Sequence, residues 1–455
     1  MKKRIALIVA SLLVLTLVFG ACTATPDQEK PSGDGSTSDE SSYDQIMRLL
    51  ETPESALALS GVQPRELPDR QDVPKGLDNL TPKPANEIKI GWAAASLGSE
   101  FFEGLRDSAF AQAESHGISA SQIDMQNADF NLETQQQQVD TFITNKVDAM
   151  ILNAVDLHSS VQLIEKIVDA GIPVFVTGPT AAKPEYQMIT AVISGSNESG
   201  FQIGSYSAEK LYKKGEVLDV GMVISKLEDA DSNSRPCGWI AGFLYKSAEM
   251  DGNAYDSKYD AILEAYHIWT KYKSDKKYDL SEKGLNLVQL GVGEGTDAAK
   301  GQAATADILV ASPDMDLLVV EMDSMAVGAL SEIKVQGKTP GKDIMVVTCA
   351  DGTTTSLDFI KSGELMGTAT NIPFMNSTTM IDMIYELFAG DDPEAYAKRL
   401  NDMPATSFTP TMAVTAENVE QYYPDTSDPI FGKFAKYDPW VPMTVTEFNA
   451  AHAND

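Results

Sequence analysis

Between Ile344 and Leu357 the chain reads IMVVTCADGTTTSL, which gathers a thiol, a carboxylate and a run of hydroxyls in one place. Two chemistries could use such a set. Cys349 could act as a nucleophile, or Asp351 and the hydroxyls could hold a polar ligand through hydrogen bonds. A cysteine nucleophile needs a histidine or an electropositive setting to form its thiolate. The chain has 4 histidines, His116, His158, His267 and His452, and none stands beside Cys349. They are scattered without metal-ligand spacing, so no metal site is expected. No nucleophile elbow follows a strand, and GVGEGTD at Gly291–Asp297 lacks the Lys-Ser/Thr ending of a phosphate loop. The residues point to binding without catalysis and without a cofactor.

Other polar residues fall at comparable places. ILNAVD sets Asn153 at the end of an apolar run, VTCADG does the same for Asp351, and MGTATN for Asn371. SLGSEFF adds Ser96, Ser99, Phe101 and Phe102 after the first such run. Amides and a carboxylate beside an aromatic pair suit a sugar-like ligand. The C–H faces of such a ring stack on aromatics, and its hydroxyls pair with Asn and Asp. Singly, each residue has a plainer reading: Phe101 or Phe102 could fill a core, and Asn153 could cap a helix. Their shared position at strand ends joins them into one hypothesis.

The elements that must position them alternate. KIGWAAAS, DAMILN and IPVFVT read as strands, and helical spacing covers Phe101–Ser115, Thr134–Asn145 and His158–Ala170. The second half repeats the pattern with LDVGMVIS, DLLVVEM, IMVVTC and MGTATN as strands. Asp297–Ala311, Ser324–Gln336, Thr355–Lys361 and Met375–Ala389 are its helices. Continuous apolar strands alternating with amphipathic helices indicate βαβ units around parallel sheets. The expected fold class is α/β, with two doubly wound, Rossmann-like lobes and ligands bound beyond the carboxyl ends of the strands. Tyr245–Lys283, rich in Lys, Asp and Tyr, reads as a surface helical insertion.

The first residues, MKKRIALIVASLLVLTLVFGAC, run from a basic start through an apolar stretch to small residues before Cys22. This is an export signal over 1–21 of the kind that ends in a lipidated cysteine. The polar, Gly/Pro/Ser-rich stretch that follows supports a flexible tether over 22–85, with a short helix near Tyr43–Leu50. A net charge of −31 argues against nucleic acid and anionic lipid surfaces as partners. Beyond Cys22 only Cys237 and Cys349 remain. A disulfide between them and two unpaired core thiols both fit that count.

Taken together, these segments resemble the ribose-type periplasmic binding proteins that feed ABC transporters. SLGSEFFEGLRDSA resembles the first loop and helix of that family, where an aromatic pair contacts the sugar. QQQQVDTFITNKVDAMILNAVDLHSSVQLIEKIVDAGIPVFV resembles its second and third βα units. DSMAVGALSEIKVQGK resembles a second-lobe helix, and VVTCADGTTTSLDFIKSGELMGTATN the aspartate-glycine loop and last binding position. TPTMAVTAENVEQYY resembles the final strand. The resemblance implies a type I fold whose lobes are joined by a three-stranded hinge. It implies ligand contacts from Ser99, Phe101, Phe102, Asn153, Asp351 and Asn371. Arg235 stands near the position of the family's second-lobe arginine; either it serves there, or Cys237 replaces it and Trp239 adds stacking. Gly178-Pro179 and Met322 stand where the family has an Asp-Arg pair and an asparagine. Their loss implies a different sugar, a polyol or a less polar molecule in place of ribose.

The implied domains are 86–195 plus 372–403 for lobe one and 196–371 plus 404–425 for lobe two, with the insertion at 245–283. Crossovers fall near Ser194–Asn197, Asn371–Pro373 and Met403–Phe408, and 426–455 is a C-terminal extension. The implied protein is a membrane-anchored lipoprotein outside the cytoplasm, on the cell surface or in the periplasm. It would deliver its ligand to an ABC transporter permease. A sensory protein presenting the ligand to a membrane receptor or kinase would use the same cleft. An exported enzyme built on Cys349 and Asp351 is the third reading. An export signal in place of a DNA-binding helix pair argues against a transcription regulator of related fold.

Overall fold

The computed structural model describes residues 40–452 apart from 71, 78–79 and 179–185, and leaves out the side chains of 157–159. The export signal at 1–21, Cys22 and the tether up to residue 39 lie outside the described residues. Two sheets organise the remainder. The first contains β1 (Ile90–Ala94), β2 (Ile123–Asn127), β3 (Ala149–Asn153), β4 (Val174–Thr177), β5 (Thr190–Ser194) and β12 (Thr406–Thr409). Its order is β12-β5-β4-β3-β1-β2, and every pairing is parallel.

The second sheet contains β6 (Leu218–Ile224), β7 (Tyr278–Leu280), β8 (Leu285–Val292), β9 (Leu317–Val320), β10 (Met345–Thr348), β11 (Gly367–Ala369) and β13 (Ala413–Thr415). Its order is β13-β11-β10-β9-β6-β8-β7, with β13 and β7 antiparallel at the two edges. Central strands such as β1, β3 and β9 are buried along their whole length, as helices on both faces require.

The helices of the first lobe are α3 (Glu100–Ser115), α4 (Leu132–Asn145), α5 (Leu157–Asp169), α12 (Pro373–Ala389) and α13 (Pro393–Leu400). Those of the second lobe are α6 (Ser196–Leu211), α7 (Ala230–Met250), α8 (Lys258–Asp275), α9 (Ala298–Ala311), α10 (Asp323–Val335), α11 (Thr354–Ser362) and α14 (Val419–Tyr422). Short polar side chains start many of them at strand ends. Asn131, Asp229, Asp297 and Thr353 each accept a backbone N–H of the first turn.

Helices α6 and α7 approach unusually closely. A Cβ added at Gly204 would lie 2.1 Å from the Trp239 carbonyl oxygen, and one at Gly238 would lie 2.0 Å from that of Asn197. Only hydrogen fits at these crossings, and this contact sets the position of the first turns of α7.

Four expectations change. First, β12 belongs to the first sheet, so the third crossover runs between Thr409 and Ala413 and residues 404–409 stay in lobe one. Second, the described residues between Ser42 and 85 pack against the lobes where a flexible tether is expected. Helices α1 (Ser42–Leu50) and α2 (Pro53–Leu59) bury Ile46 and Leu59 against the second-lobe core. The chain then passes the hinge, where Asn197 N–H donates to the Ser60 carbonyl at 3.1 Å. It reaches the first lobe through Arg70, which donates to the carbonyls of Tyr186, Met188, Ile189 and Met403. Polar composition averaged over the whole stretch hid these few anchoring apolar residues.

Third, 245–283 is more than a surface insertion, because one face of α8 is part of the core. On α8 Trp269 and Tyr272 are fully buried; Trp269 Nε1 donates to Asn233 Oδ1 and Tyr272 donates to the Gln289 carbonyl. The charged residues of α8 occupy its opposite side. Fourth, the described part of the C-terminal extension, 426–452, crosses back between the lobes. Phe434 bridges to Thr353 and is buried edge-on against Phe374, 5.3 Å between ring centres. Beyond it α15 (Val445–Ala451) lies on the first lobe, where Arg399 pairs with Glu447 and Asn449 hydrogen-bonds both backbone groups of Leu67. The two terminal segments therefore touch both lobes and each other.

Substituting Gly238→Ala inserts a methyl group where no space exists. It should lower the unfolding free energy by roughly 2–3 kcal/mol, read by urea denaturation; an unchanged midpoint would show that the two helices can separate freely.

Candidate functional site

The lobes meet at the carboxyl ends of their strands. On the second-lobe side everything turns on Asp323, the first residue of α10. Its buried carboxylate accepts hydrogen bonds from Thr348 Oγ1 (2.6 Å) at the end of β10 and Thr368 Oγ1 (2.8 Å) in β11. It also accepts from the backbone N–H of Gly352 (2.9 Å) and Thr353 (2.8 Å), and from Thr353 Oγ1 (3.1 Å). These bonds hold the turn Ala350–Thr353, in which Gly352 has a φ of +84°. Burial raises the Asp323 pKa, while Thr348, Thr353 and Thr368 work against that rise. Sequence reasoning noted Met322 and passed over Asp323; an acidic helix start among threonine-ended strands was the available signal.

The turn presents Asp351. Its side chain is buried, yet its carboxylate accepts no hydrogen bond from any described residue. Its backbone carbonyl accepts from Asn371 N–H at 3.0 Å. Across from it stands Arg235, on the second turn of α7 and only 3% exposed. Its nearest carboxylates, Asp231 and Glu321, are both 3.6 Å away, and its Nε has no partner. Asp231 and Glu321 are themselves engaged, by Ser196 Oγ and by Ser225 N–H.

Burial raises the Asp351 pKa to about 7; Arg235 opposes the rise, and Asp323, Asp231 and Glu321 reinforce it. Glu321 is pushed to about 7 by burial, against the pull of Arg235. Burial works to lower the Arg235 pKa, but Asp231, Asp351 and Glu321 outweigh it and keep the guanidinium charged. Arg235 Nε is thus left without a hydrogen-bond partner beside two longer ion pairs, and no described residue donates to the Asp351 carboxylate. Such groups are costly until a ligand pairs with them.

On the first-lobe side Asn153 is buried and committed. Its Oδ1 accepts from Ala95 N–H at 3.1 Å, and its Nδ2 donates to the Thr177 carbonyl at 3.3 Å, which ties the ends of β1, β3 and β4 together. Gln135, fully buried on α4 and not singled out by sequence, supports it by donating to the Asn153 carbonyl at 2.7 Å. Ser96 Oγ accepts from Gly98 N–H, and Ser99 stands half-buried just before α3.

Phe101 and Phe102 meet edge to face at 5.7 Å, and Phe102 meets Phe130 in the same way at 5.8 Å. Phe130 extends the aromatic pair to a third ring that sequence reasoning missed. It sits in a turn with Asp129, both at positive φ, and is 48% exposed. Lys226, after β6 in the second lobe, places its Nζ 5.4 Å from the Phe130 ring centre, so a cation–π contact spans the two lobes. At the crossovers Ser194 Oγ donates to Asn371 Oδ1 at 2.5 Å, which engages the side chain of Asn371 between two hinge strands.

Two candidates fall elsewhere. Trp239 lies one helical turn beyond Arg235 and is fully buried in the α6–α7 interface. It stacks on Phe243 at 5.3 Å and donates to Ser207 Oγ, so its ring cannot stack on a ligand in the cleft. Cys237 and Cys349 are both free and fully buried. Burial raises both thiol pKa values, which works against a thiolate at either position. Among the described residues no group of three or more His, Cys, Asp or Glu is placed to hold a metal.

The titration of Asp351 has a definite sign. Its folded pKa lies above the ordinary carboxylate value, so between about pH 4 and pH 7 the folded chain binds more protons than the unfolded one. Its contribution to stability therefore falls as pH rises through that window. A ligand hydroxyl donating to Asp351 would favour the ionised form and release the proton. Ligand affinity should rise from about pH 5.5 to about pH 8; titration calorimetry in buffers of different ionisation enthalpy reads the released proton, and a pH-independent affinity would contradict the assignment.

Residues 90–392 match the family model described as a periplasmic binding protein domain. The ribose import binding protein RbsB of Bacillus subtilis is 25% identical over 296 residues, spanning 64% of this chain and 80% of that protein. The D-ribose/D-allose-binding protein of Pseudomonas aeruginosa is 24% identical over 315 residues, spanning 67% of this chain and 84% of its own length. An ABC transporter solute-binding protein from Bacillus halodurans, solved with bound myo-inositol, superposes with a TM-score of 0.55 at 22% identity; the match covers 74% of this chain and 98% of that one. The arabinose-binding component from Shewanella sp. ANA-3 gives 0.57 at 20% identity, covering 73% and 94%.

Proposed function

Because the chain belongs to the periplasmic binding protein domain family, we propose that it is an extracytoplasmic solute-binding protein. It captures a carbohydrate-like small molecule between its lobes and delivers it to an ABC transporter. One observation carries the ligand class: Arg235 Nε is buried without a hydrogen-bond partner, no described residue donates to the Asp351 carboxylate, and the two groups act on each other electrostatically. A hydroxyl is both donor and acceptor, so adjacent hydroxyls of one polyol can satisfy both groups at once. Phe101, Phe102 and Phe130 supply ring faces and edges for the C–H side of such a molecule. Asp231, Glu321 and Asp351 surround a single guanidinium, which disfavours an anionic ligand. The relatives support the same class, since their names refer to ribose, allose, arabinose and myo-inositol.

Binding would work through closure. Arg235 and Asp351 belong to the second lobe, and the aromatic rings to the first. A ligand that contacts both sets favours the closed arrangement by its differential affinity. Asn153 acts in this reading chiefly as a positioning group, since both ends of its amide are engaged within the protein, while Ser99 and the Nδ2 of Asn371 would touch the ligand. The transporter permease is the partner that would read the closed form. Cys22 would carry the lipid that keeps the protein at the membrane.

Asp351→Ala should weaken ligand binding about ten- to a hundredfold, because a hydrogen bond to a charged group is worth roughly 1.5–3 kcal/mol. Calorimetry with a folded variant checks this after a thermal-shift panel of sugars and polyols identifies a ligand; undiminished affinity would remove Asp351 from the site. Cys22→Ser should release the protein from the membrane fraction and abolish incorporation of a labelled fatty acid. Continued labelling would place the anchor elsewhere.

A further inference from the structure

The first-lobe wall has its own unpartnered group. Asn376 lies in the first turn of α12, just after the second crossover, and is 3% exposed. Its Nδ2 donates to Thr177 Oγ1 at 3.3 Å, while its Oδ1 has no partner. Thr177 is the last residue of β4. The next residue, Gly178, has a φ of +76°, and a Cβ there would lie 2.6 Å from Asn153 Nδ2. Gly178 sends no side chain from the end of β4, and the amide of Asn153 fills that space. That amide is spent on Ala95 and Thr177. Among the described residues at this strand end, Asn376 offers a buried open acceptor.

We infer that Asn376 is a specificity-determining residue whose Oδ1 accepts a hydrogen bond from a ligand hydroxyl. The inference rests on the solute-binding reading and sharpens it. The second lobe offers the ligand charged groups, and the first offers it a neutral acceptor. A neutral amide oxygen left without a donor in a buried setting is destabilising, and a hydroxyl hydrogen removes that cost. A molecule lacking the hydroxyl, or offering an acceptor in its place, leaves Oδ1 unpaired. Sites built to pair with a hydroxyl discriminate strongly against the deoxy analogue for this reason. The ligand class is thus a neutral polyol with a hydroxyl at the end facing β4.

The test compares wild type with Asn376→Leu, which keeps the bulk and removes both polar atoms. The probes are D-ribose, D-allose, L-arabinose and myo-inositol, each with its singly deoxygenated analogues, in titration calorimetry. Wild type should bind one parent compound about ten- to a hundredfold more tightly than one of its deoxy analogues. In Asn376→Leu that ratio should collapse towards one, while the affinity for the deoxy analogue and the apo melting temperature hold or rise. Asn376→Ser, which keeps a polar group, should restore part of the ratio and guards against a misfolded Leu variant. A uniform loss across all probes would show a merely structural residue and overturn the inference. So would an unchanged ratio in a wild type that binds. A wild type that binds no probe would overturn the solute class and this inference together.

Discussion

Asp323 accepts hydrogen bonds from Thr348, Thr353, Thr368 and two backbone amides, all within a dry part of the second lobe. A carboxylate removed from water persists only where its lone pairs are filled, and here the donors come from β10, β11 and the turn between Ala350 and Thr353. One side chain thereby fixes three backbone segments relative to α10. The position of Asp351 follows from that, because it occupies the turn. So does the position of Asn371, whose N–H is held by the Asp351 carbonyl at the mouth of the second crossover.

Arg235 is placed by a different constraint. The glycines that let α6 and α7 touch leave no freedom to slide, so the first turns of α7 enter the lobe at one depth. Arg235 arrives within reach of Asp231 and Glu321 but short of a hydrogen bond to either. The contrast with Asp323 is instructive. Both groups are buried, but one is saturated by hydrogen bonds from the protein, and the other keeps its Nε open beside two longer ion pairs. Saturated polar groups build a scaffold, whereas open ones in the same low dielectric are suited to recognise something that arrives later.

Around this site the chain links its lobes more often than the sheets alone require. Three crossovers run from β5 to α6, from β11 to α12 and from β12 to β13. The segment after α2 adds a link through Ser60 and Arg70, and the C-terminal segment adds one through Phe434 and α15. Asn449 and Leu67 join the two additions to each other. Any hinge motion has to carry these packed segments with it, and most of them lie outside the matched family region of 90–392.

Much of this was legible in the chain of residues. Period and apolar runs decide strands and helices locally, so the alternation of the two lobes, the Asp-Gly turn and the strand-end positions of Asn153, Asp351 and Asn371 could be read directly. Arg235 could be nominated, although nothing local separated it from Trp239, one turn away on the same helix. Other features have no local signature. Whether α8 shows its charges or buries Trp269 depends on what packs against it. Asn376 looks like an ordinary residue of an amphipathic helix until Thr177 takes one side of its amide and nothing takes the other. Sequence by itself determined which residue types stand at the ends of strands, because backbone sterics and hydrophobic period act over a few residues. Tertiary structure alone decided which of those groups are spent and which remain open, because a hydrogen bond is satisfied or left unsatisfied by partners that may lie hundreds of positions away.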